Sequence, residues 1–275
     1  MLFVVATPIG NLDDLSPRAR QVLADVDLIA AEDTRRTGRL LSHFGIETPQ
    51  IALHEHNEDE VVAQLLGRLG ARGSVALVSD AGTPLISDPG YRLLRAAHSA
   101  GVRVSPIPGA SAAVAALSVA GLPTDRFCFE GFLPPRRPAR RATLEALRRE
   151  PRTLVFFESV HRIADLLADL AETFGDDRRA FIGRELSKMH EQCVAASLGE
   201  LRAMLGDGRI AARGEFVVVV DGAEPIASDS EIVDIDQLIK ELRAVLPGKQ
   251  AVAVAASITG RARNELYRRM LELED

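Results

Sequence analysis

The sequence predicts an α/β protein built of two α/β domains and a small C-terminal helical module of helix-turn-helix type. Three observations predict it. Short apolar runs alternate with helix-period stripes over the first hundred residues, and the alternation resumes after a Pro/Gly break at Pro106-Ile107-Pro108-Gly109. Beyond the polar segment 223–230 the strand signal stops and only helical patterns follow. The expected boundaries are 1–109, 110–224 and 228–275.

Residues 3–6 read as a buried strand. Ser16-Pro17 then supplies an N-cap with proline at the first helical position, ahead of a stripe of Ala19, Val22, Leu23 and Val26. A second strand is expected at Leu28–Ala31. Thr37, Leu40, Leu41 and Phe44 mark a helix closed by Gly45. Residues 51–53 are a short strand, and Val61, Val62, Leu65, Leu66 and Leu69 a helix ended by Gly70. Strands at Val75–Val78 and 102–107 flank a helix over 91–100. Five apolar strands joined by helical crossovers imply a parallel sheet covered on both faces. In the second half a small-residue helix covers 110–120. Strands follow at 127–130, 153–157, 180–184 and 215–220, with helices near 138–149, 160–174 and 198–205. The tail holds Ile235, Leu238, Ile239, Leu242 and Val245 on one helix, a second over 249–257 and a third over 264–273, with Gly260 as the turn between the last two.

Composition limits the function classes. Of 275 residues, 47% are hydrophobic and 26% charged. No apolar run approaches the roughly 20 residues of a membrane span, and Met1-Leu2-Phe3 has no basic leader pattern. Cys128 and Cys193 are far apart and in no ligand spacing, which points to the cytoplasm and away from structural zinc. The net charge of −6 does not advertise a polyanion binder. The distribution does, locally: Arg136, Arg137, Arg140, Arg141, Arg148, Arg149 and Arg152 face only Glu145 and Glu150 in their stretch. Lys249, Arg261, Arg263, Arg268 and Arg269 similarly outnumber Glu265. Solvated arginines are the alternative reading of both.

In an open parallel sheet, ligands bind beyond the C-terminal strand ends. The five loops there are rich in glycine, proline and small polar residues: 7–12, 32–36, 54–58, 79–90 and 108–111. They contain neither G-x-G-x-x-G nor a Walker lysine, so a phosphate cradle is not expected. Asp80 offers a carboxylate for hydroxyl or ammonium contacts. The plainer reading of its loop is a tight turn with Asp88 capping the next helix. His54 and His56 suit a proton acceptor or an RNA contact better than a metal. Glu32-Asp33 beside Arg35-Arg36 is either a functional cluster or a salt-bridge corner, and Ser159 reads as the cap of the helix after Glu158.

Taken in order, these loops closely resemble the ribosomal RNA small-subunit methyltransferase I (RsmI) family. The resemblance is carried by Thr7-Pro8-Ile9-Gly10-Asn11-Leu12, Ala31-Glu32-Asp33-Thr34-Arg35, Leu53-His54-Glu55-His56-Asn57-Glu58 and Leu77-Val78-Ser79-Asp80-Ala81-Gly82-Thr83-Pro84. It continues through Ser87-Asp88-Pro89-Gly90-Tyr91, Glu130-Gly131-Phe132-Leu133-Pro134, Glu158-Ser159 with His161-Arg162, Arg184-Glu185-Leu186 and Gly214-Glu215. It spans essentially the whole chain.

The resemblance implies a tetrapyrrole-methylase fold with a cofactor cleft between two α/β domains. It also implies methylation of the 2′-hydroxyl of a cytidine in 16S rRNA of the 30S subunit, with S-adenosylmethionine as donor and a homodimer as the working form. Cofactor contacts would then fall on Ile9, Asp80, Thr83, Ser111 and Ala112, with Phe157 and Glu158 from the second domain. The chemistry needs a group near the ribose hydroxyl, for which His54, His56, Glu32 and Asp33 are the candidates. Arg35, Arg36, Arg136, Arg137, Arg140, Arg141, Lys249, Arg261 and Arg263 would face RNA. A same-fold methyltransferase acting on a tetrapyrrole or other small molecule, or a non-catalytic RNA-binding protein, are the alternatives.

Overall fold

Strands that are apolar along their length need cover on both faces, and the first five receive it. The computed structural model describes residues 1–54, 57–224 and 235–273. In it β1 (Leu2–Val5), β2 (Leu28–Ala31), β3 (Gln50–Ala52), β4 (Val75–Val78) and β5 (Val104–Ile107) form a sheet in the order β3-β2-β4-β1-β5. Every pairing in it is parallel. Helices α1 (Pro17–Asp25) and α2 (Thr34–His43) cover one face, setting Leu23, Leu40 and Leu41 against Val5, Ile29 and Val78. Helices α3 (Glu58–Gly70) and α4 (Tyr91–Ser99) cover the other with Val61, Leu65, Leu69 and Leu93. All five loops at the C-terminal strand ends therefore leave along one edge.

The local signals act as the sequence suggests in most places. The Ser16 hydroxyl accepts the Ala19 N–H, Pro17 opens α1, and Gly45 takes the left-handed conformation just past α2. Pro106 lies inside β5, which is tolerable because β5 is an edge strand. Gly70 ends α3 as its last residue, with a left-handed turn two residues on at Arg72. Two expectations fail. Asp88 makes no cap bond to α4, whose N-cap is Gly90. Ser159 is the last residue of a strand, and the helix it was expected to cap begins only at Ile163.

The second sheet is mixed. Helix α5 (Ala112–Val119) leads into β6 (Phe127–Phe132), α6 (Arg137–Leu147), β7 (Thr153–Ser159), α7 (Ile163–Phe174), β8 (Arg179–Arg184), β9 (Gln192–Ser197), α8 (Leu198–Gly206) and β10 (Glu215–Val220). The strand order is β6-β7-β10-β8-β9, and only β6 and β7 run parallel. Strand β9 escapes the sequence reading because it is an edge strand, and Gln192-Cys193-Val194-Ala195-Ala196-Ser197 carries little β-branched character. Helices α6, α7 and α8 bury one face of this sheet over Leu154, Phe156, Ile182, Val218 and Val220. The opposite face, with Val155, Phe181, Val217 and Val219, meets α5 alone among the described helices.

Residues 1–222 make one compact unit and 223–275 another. The second unit packs α9 (Ile235–Val245), α10 (Gly248–Thr259) and α11 (Arg263–Glu272) through Ile239, Val252, Ala255, Leu266 and Met270. Gly260, left-handed at φ 70°, turns α10 toward α11.

One expected RNA contact is corrected by burial. Arg140 is 2% exposed and shares the inward stripe of α6 with Leu144, so it cannot reach a phosphate. Its guanidinium instead meets Asp169 of α7, with Nε 2.8 Å and Nη2 2.7 Å from Oδ2. Burial of Asp169 raises its proton affinity, but the hydrogen bonds from Arg137 and Arg140 outweigh it and hold the carboxyl below the usual value. A carboxylate lowered in this way stabilises the fold above the unfolded value near ~3.9, and that contribution fades as pH falls through the lowered folded value. Arg140→Met leaves Asp169 with Arg137 alone and is expected to cost about 3 kcal/mol. Urea unfolding measures this, and an unchanged midpoint contradicts it.

Candidate active site

The first and fourth loops are stitched together by backbone. Thr7 N–H donates to Gly82 O (2.8 Å) and Gly82 N–H to Thr7 O (3.0 Å), while the Thr7 hydroxyl donates to Ser79 O. Gly82 has φ 85° and lies where a side chain would press on the Ile9 methyl at 3.3 Å. The fifth loop is joined by Thr83, whose hydroxyl donates to Ala110 O at 3.1 Å. The second loop is joined by Asp80: Oδ1 accepts the Asp33 N–H at 3.0 Å and Oδ2 lies 3.3 Å from Arg36 Nη1. Four of the five loop ends thus form one hydrogen-bonded rim.

This rim faces the open part of the second sheet across a cavity of about 420 Å³, within the ~300–1,000 Å³ common for small-molecule sites. All seven residues expected to hold a cofactor line it: Ile9, Asp80, Thr83, Ser111, Ala112, Phe157 and Glu158. Ile9 and Phe157 form part of its apolar wall, packed against the cluster under α5. Glu158 is 2% exposed. Its Oε1 accepts from Ser159 N–H (2.7 Å) and Arg162 Nε (2.8 Å), whereas its Oε2 is buried without a partner among the described residues. A buried carboxyl oxygen left unpaired is costly, and a hydroxyl or ammonium donor on a ligand would satisfy it.

The four candidates for proton acceptor separate. Glu32 lines the cavity, and burial lifts its proton affinity above the ordinary glutamate value despite the Asp80 N–H at 3.3 Å. Asp33 does not line it. Its carboxylate caps α2 through Arg35 N–H (2.8 Å) and grips the Arg35 guanidinium, which together bring its pKa down to about 2. Such a group is a poor base, so the salt-bridge reading holds for Asp33 and Arg35, while Glu32 and Arg36 of the same corner line the cavity. His54 is exposed and outside the cavity lining, and His56 falls outside the described residues.

The carboxyl that sequence reading missed is Asp88. It lines the cavity, and its pKa is pushed up to about 6, first by burial and then by the neighbouring charges of Glu32 and Asp80, against a hydrogen bond with Ser79. The residues before it explain its aim. Leu85 and Ser87 are left-handed at φ 76° and 71°, a conformation costing an ordinary residue about 1–2 kcal/mol, and strain of this kind gathers at functional sites. A cap reading hid Asp88 because an Asp close ahead of a helix start reads as a cap, although Asp88 lies three residues before Tyr91 and the N-cap itself is Gly90.

The arginines also divide. Arg36 lines the cavity; Arg35 is exposed and held by Asp33. On α6 and its N-cap, Arg136, Arg137 and Arg141 are exposed, with Arg137 and Arg141 paired to Glu172. Lys249, Arg261 and Arg263 are exposed on the helical unit, Arg261 paired with Glu265.

A loop between β8 and β9 completes the wall. Lys188 Nζ donates to Glu185 (2.8 Å) and Glu215 (2.9 Å), and the Ser187 hydroxyl donates to the Asp14 carboxylate. The Lys188 side chain fills the place that a Cβ on Gly10 would take. The glycine of the first loop is therefore required by a lysine of the second sheet.

Two sheets with a cleft at the strand ends of the first define a methylase of the tetrapyrrole type, and residues 1–202 match the tetrapyrrole (corrin/porphyrin) methylases. Residues 229–274 match the RsmI C-terminal helix-turn-helix domain. The chain is 52% identical to the ribosomal RNA small subunit methyltransferase I of Pseudomonas aeruginosa, over 98% of this chain and 96% of that one. With the protein of the same name from Escherichia coli it shares 49% over 98% and 94%. The chain belongs to the ribosomal RNA small subunit methyltransferase I family. Among solved structures, uroporphyrin-III C-methyltransferase of Thermus thermophilus in complex with S-adenosyl homocysteine shares the fold at a TM-score of 0.55. The identity there is 19%, over 80% of this chain and 96% of that one.

Gly10→Ala is expected to displace Lys188 from Glu185 and Glu215 and to weaken S-adenosylmethionine binding about tenfold, or ~1.4 kcal/mol. Calorimetry on the folded variant measures this, and wild-type affinity would show that Lys188 is no part of the wall.

Proposed function

We propose that the protein transfers a methyl group from S-adenosylmethionine to the 2′-hydroxyl of a cytidine in 16S rRNA of the small ribosomal subunit. The observation that carries the reading is the end-to-end identity of about half with relatives named for small-subunit rRNA methylation, coupled to a cavity lined by every expected cofactor residue. In this reading the lobes 1–109 and 110–224 hold the cofactor between them and the module 228–275 contributes to RNA docking. Free Cys128 and Cys193 accord with work in the cytoplasm, and no helix among the described residues is long and apolar enough to cross a membrane. A homodimer is part of the proposal. Exposed Tyr91, Val114, Val119 and Met189 give it apolar surface to bury.

The residues present fit the cofactor. S-adenosylmethionine, when bound, supplies an electrophilic methyl on a sulfonium whose leaving thioether needs no acid. Ile9 and Phe157 offer apolar walls to its adenosine, and Oε2 of Glu158 an acceptor for a hydroxyl or ammonium. Asp80 and Thr83 act chiefly by fixing the rim, since their polar atoms are engaged by Asp33, Arg36 and Ala110. Much of the rate enhancement then comes from positioning. The ribose hydroxyl still has to lose its proton, and Asp88 is the group suited to take it. A carboxylate titrating near 6 is ionised at neutral pH yet more basic than an ordinary aspartate. Glu32 shares the charge of the site, and Arg36 is the cavity's cation suited to a phosphate beside the target.

The decisive experiment is labelled-methyl transfer with purified 30S subunits, naked 16S rRNA and a porphyrinoid as acceptors. Label is expected in the ribose of one cytidine of the rRNA; label in the porphyrinoid alone would replace the substrate assignment. Asp88 adds a pH dependence. Because its proton is gained as pH falls through about 6, kcat/KM is expected to fall with decreasing pH across that value. Asp88→Asn should lower kcat at least a hundredfold and abolish that limb of the profile. Retention of the limb would assign the proton to another group.

A further inference from the structure

Strand β6 carries an extra residue whose effect is to turn one aromatic ring. In its parallel pairing with β7, Phe129 lies opposite Val155, but Gly131 lies opposite Phe156 and Phe132 opposite Phe157, so the register shifts by one between Phe129 and Gly131. Without the bulge, alternation would send Phe132 to the face buried by α6 and α7. With it, Phe132 joins Phe129 and Phe157 on the cavity face, its ring centroid 5.7 Å from that of Phe157 in an edge-on arrangement. The bulge depends on Gly131, left-handed at φ 60°, where a Cβ would stand 3.0 Å from the Ser87 hydroxyl. Strand β6 is thus seated against the strained loop that carries Ile86 and Asp88.

The ring so placed is not buried. Phe132 is 56% exposed although it lines the cavity, and Ile86, also in the lining, is 41% exposed. Aromatic residues are scarce here, at 4% of the chain with no tryptophan. Of the large exposed aromatics Tyr91, Phe127, Phe132 and Tyr267, only Phe132 belongs to the cavity. A methyl acceptor on a ribose has to leave the RNA stack to reach a cleft, and its base then loses its stacking neighbours. An exposed ring at the mouth replaces them. The cofactor's own adenine has better cover deeper in, against Ile9, Leu186 and Val217.

Resting on the rRNA-methylation reading above, we infer that Phe132 is the stacking platform for the target nucleobase, with Ile86 as its apolar neighbour at the cavity mouth. The test is single-turnover methyl transfer to 30S subunits by wild type, Phe132→Ala, Phe132→Leu and Phe132→Trp, alongside calorimetric affinity for S-adenosylmethionine. Phe132→Ala and Phe132→Leu are expected to lose roughly ten- to a hundredfold in kcat/KM for subunits, the loss typical of one base–aromatic stack. Phe132→Trp should retain activity, and cofactor affinity should stay within about twofold across the series. Full activity of Phe132→Leu would reduce the ring to an apolar plug and overturn the inference. A fall in cofactor affinity parallel to the loss of transfer would reassign the ring to adenine and overturn it equally. If wild type itself transfers nothing to subunits or rRNA, the underlying reading fails first; wild-type transfer with unimpaired Phe132→Ala sinks the stacking role alone.

Discussion

The site depends on an imbalance in how the second sheet is covered. One face meets three helices, the other only α5. Eight helical residues span about 12 Å, whereas five strands at ~4.8 Å spacing present roughly 19 Å of width. An apolar face left bare on that scale is unfavourable in water, so the remainder has to be covered by something else. Part of the cover is protein: Ile9 from the first loop and Leu186 from the loop after β8 pack beside α5. What is left is the cavity. The alanine-rich composition of α5 follows from the same constraint, since small side chains let a short helix lie close to the sheet without closing the cleft.

Rigidity at such a site has to come from its loops, and here the loops hold one another. The reciprocal Thr7–Gly82 bonds, the Thr83 bond to Ala110 and the two-sided grip on Asp80 leave few backbone groups at the rim free to rearrange. This changes what the motif residues mean. Asp80 and Thr83 fix the geometry of the rim through bonds to Asp33, Arg36 and Ala110. Glu158 and Asp88 carry the unspent electrostatics, one with a buried oxygen unpaired among the described residues and the other with a carboxyl whose pKa is pushed up to about 6.

The parallel sheet was legible because its central strands β1, β2 and β4 are apolar along their length and each crossover has a cap or a glycine stop. Its five loops could be assigned to one edge from topology alone, and the residues expected at the cofactor do meet there. The second sheet was less legible. Strand β9 is an edge strand with little β-branched character, and Gly131 alone does not say which way the bulge it permits turns Phe132, since that depends on the register with β7. Asp88 was hidden by an equally good local explanation. Asp33 shows the converse: proximity to other charged residues suggested chemistry, yet its carboxylate is consumed by Arg35 and the end of α2. Sequence spacing identifies which acids are near one another; only burial decides which of them are left with a proton to move.

The same distinction governs the arginines. A chain of net charge −6 can still present a cationic face if its acids are committed elsewhere. On α6 the inward position is Arg140, whose pairing with Asp169 is structural. Its outward neighbours Arg137 and Arg141 share Glu172, and Arg136 and Arg149 add unburied charge. Exposed pairs of this kind are worth only about 0–1 kcal/mol, which describes Arg141 with Glu172, whereas Arg137 is also held by the buried Asp169 at 2.9 Å. Arg140 is bound more firmly, because its removal from Asp169 would strand a buried charge. The stretch that reads as one basic patch is therefore two devices: an internal clamp of Arg140 and Arg137 on Asp169 that fixes α6 against α7, and the outward arginines Arg136, Arg141 and Arg149 that the fold leaves exposed.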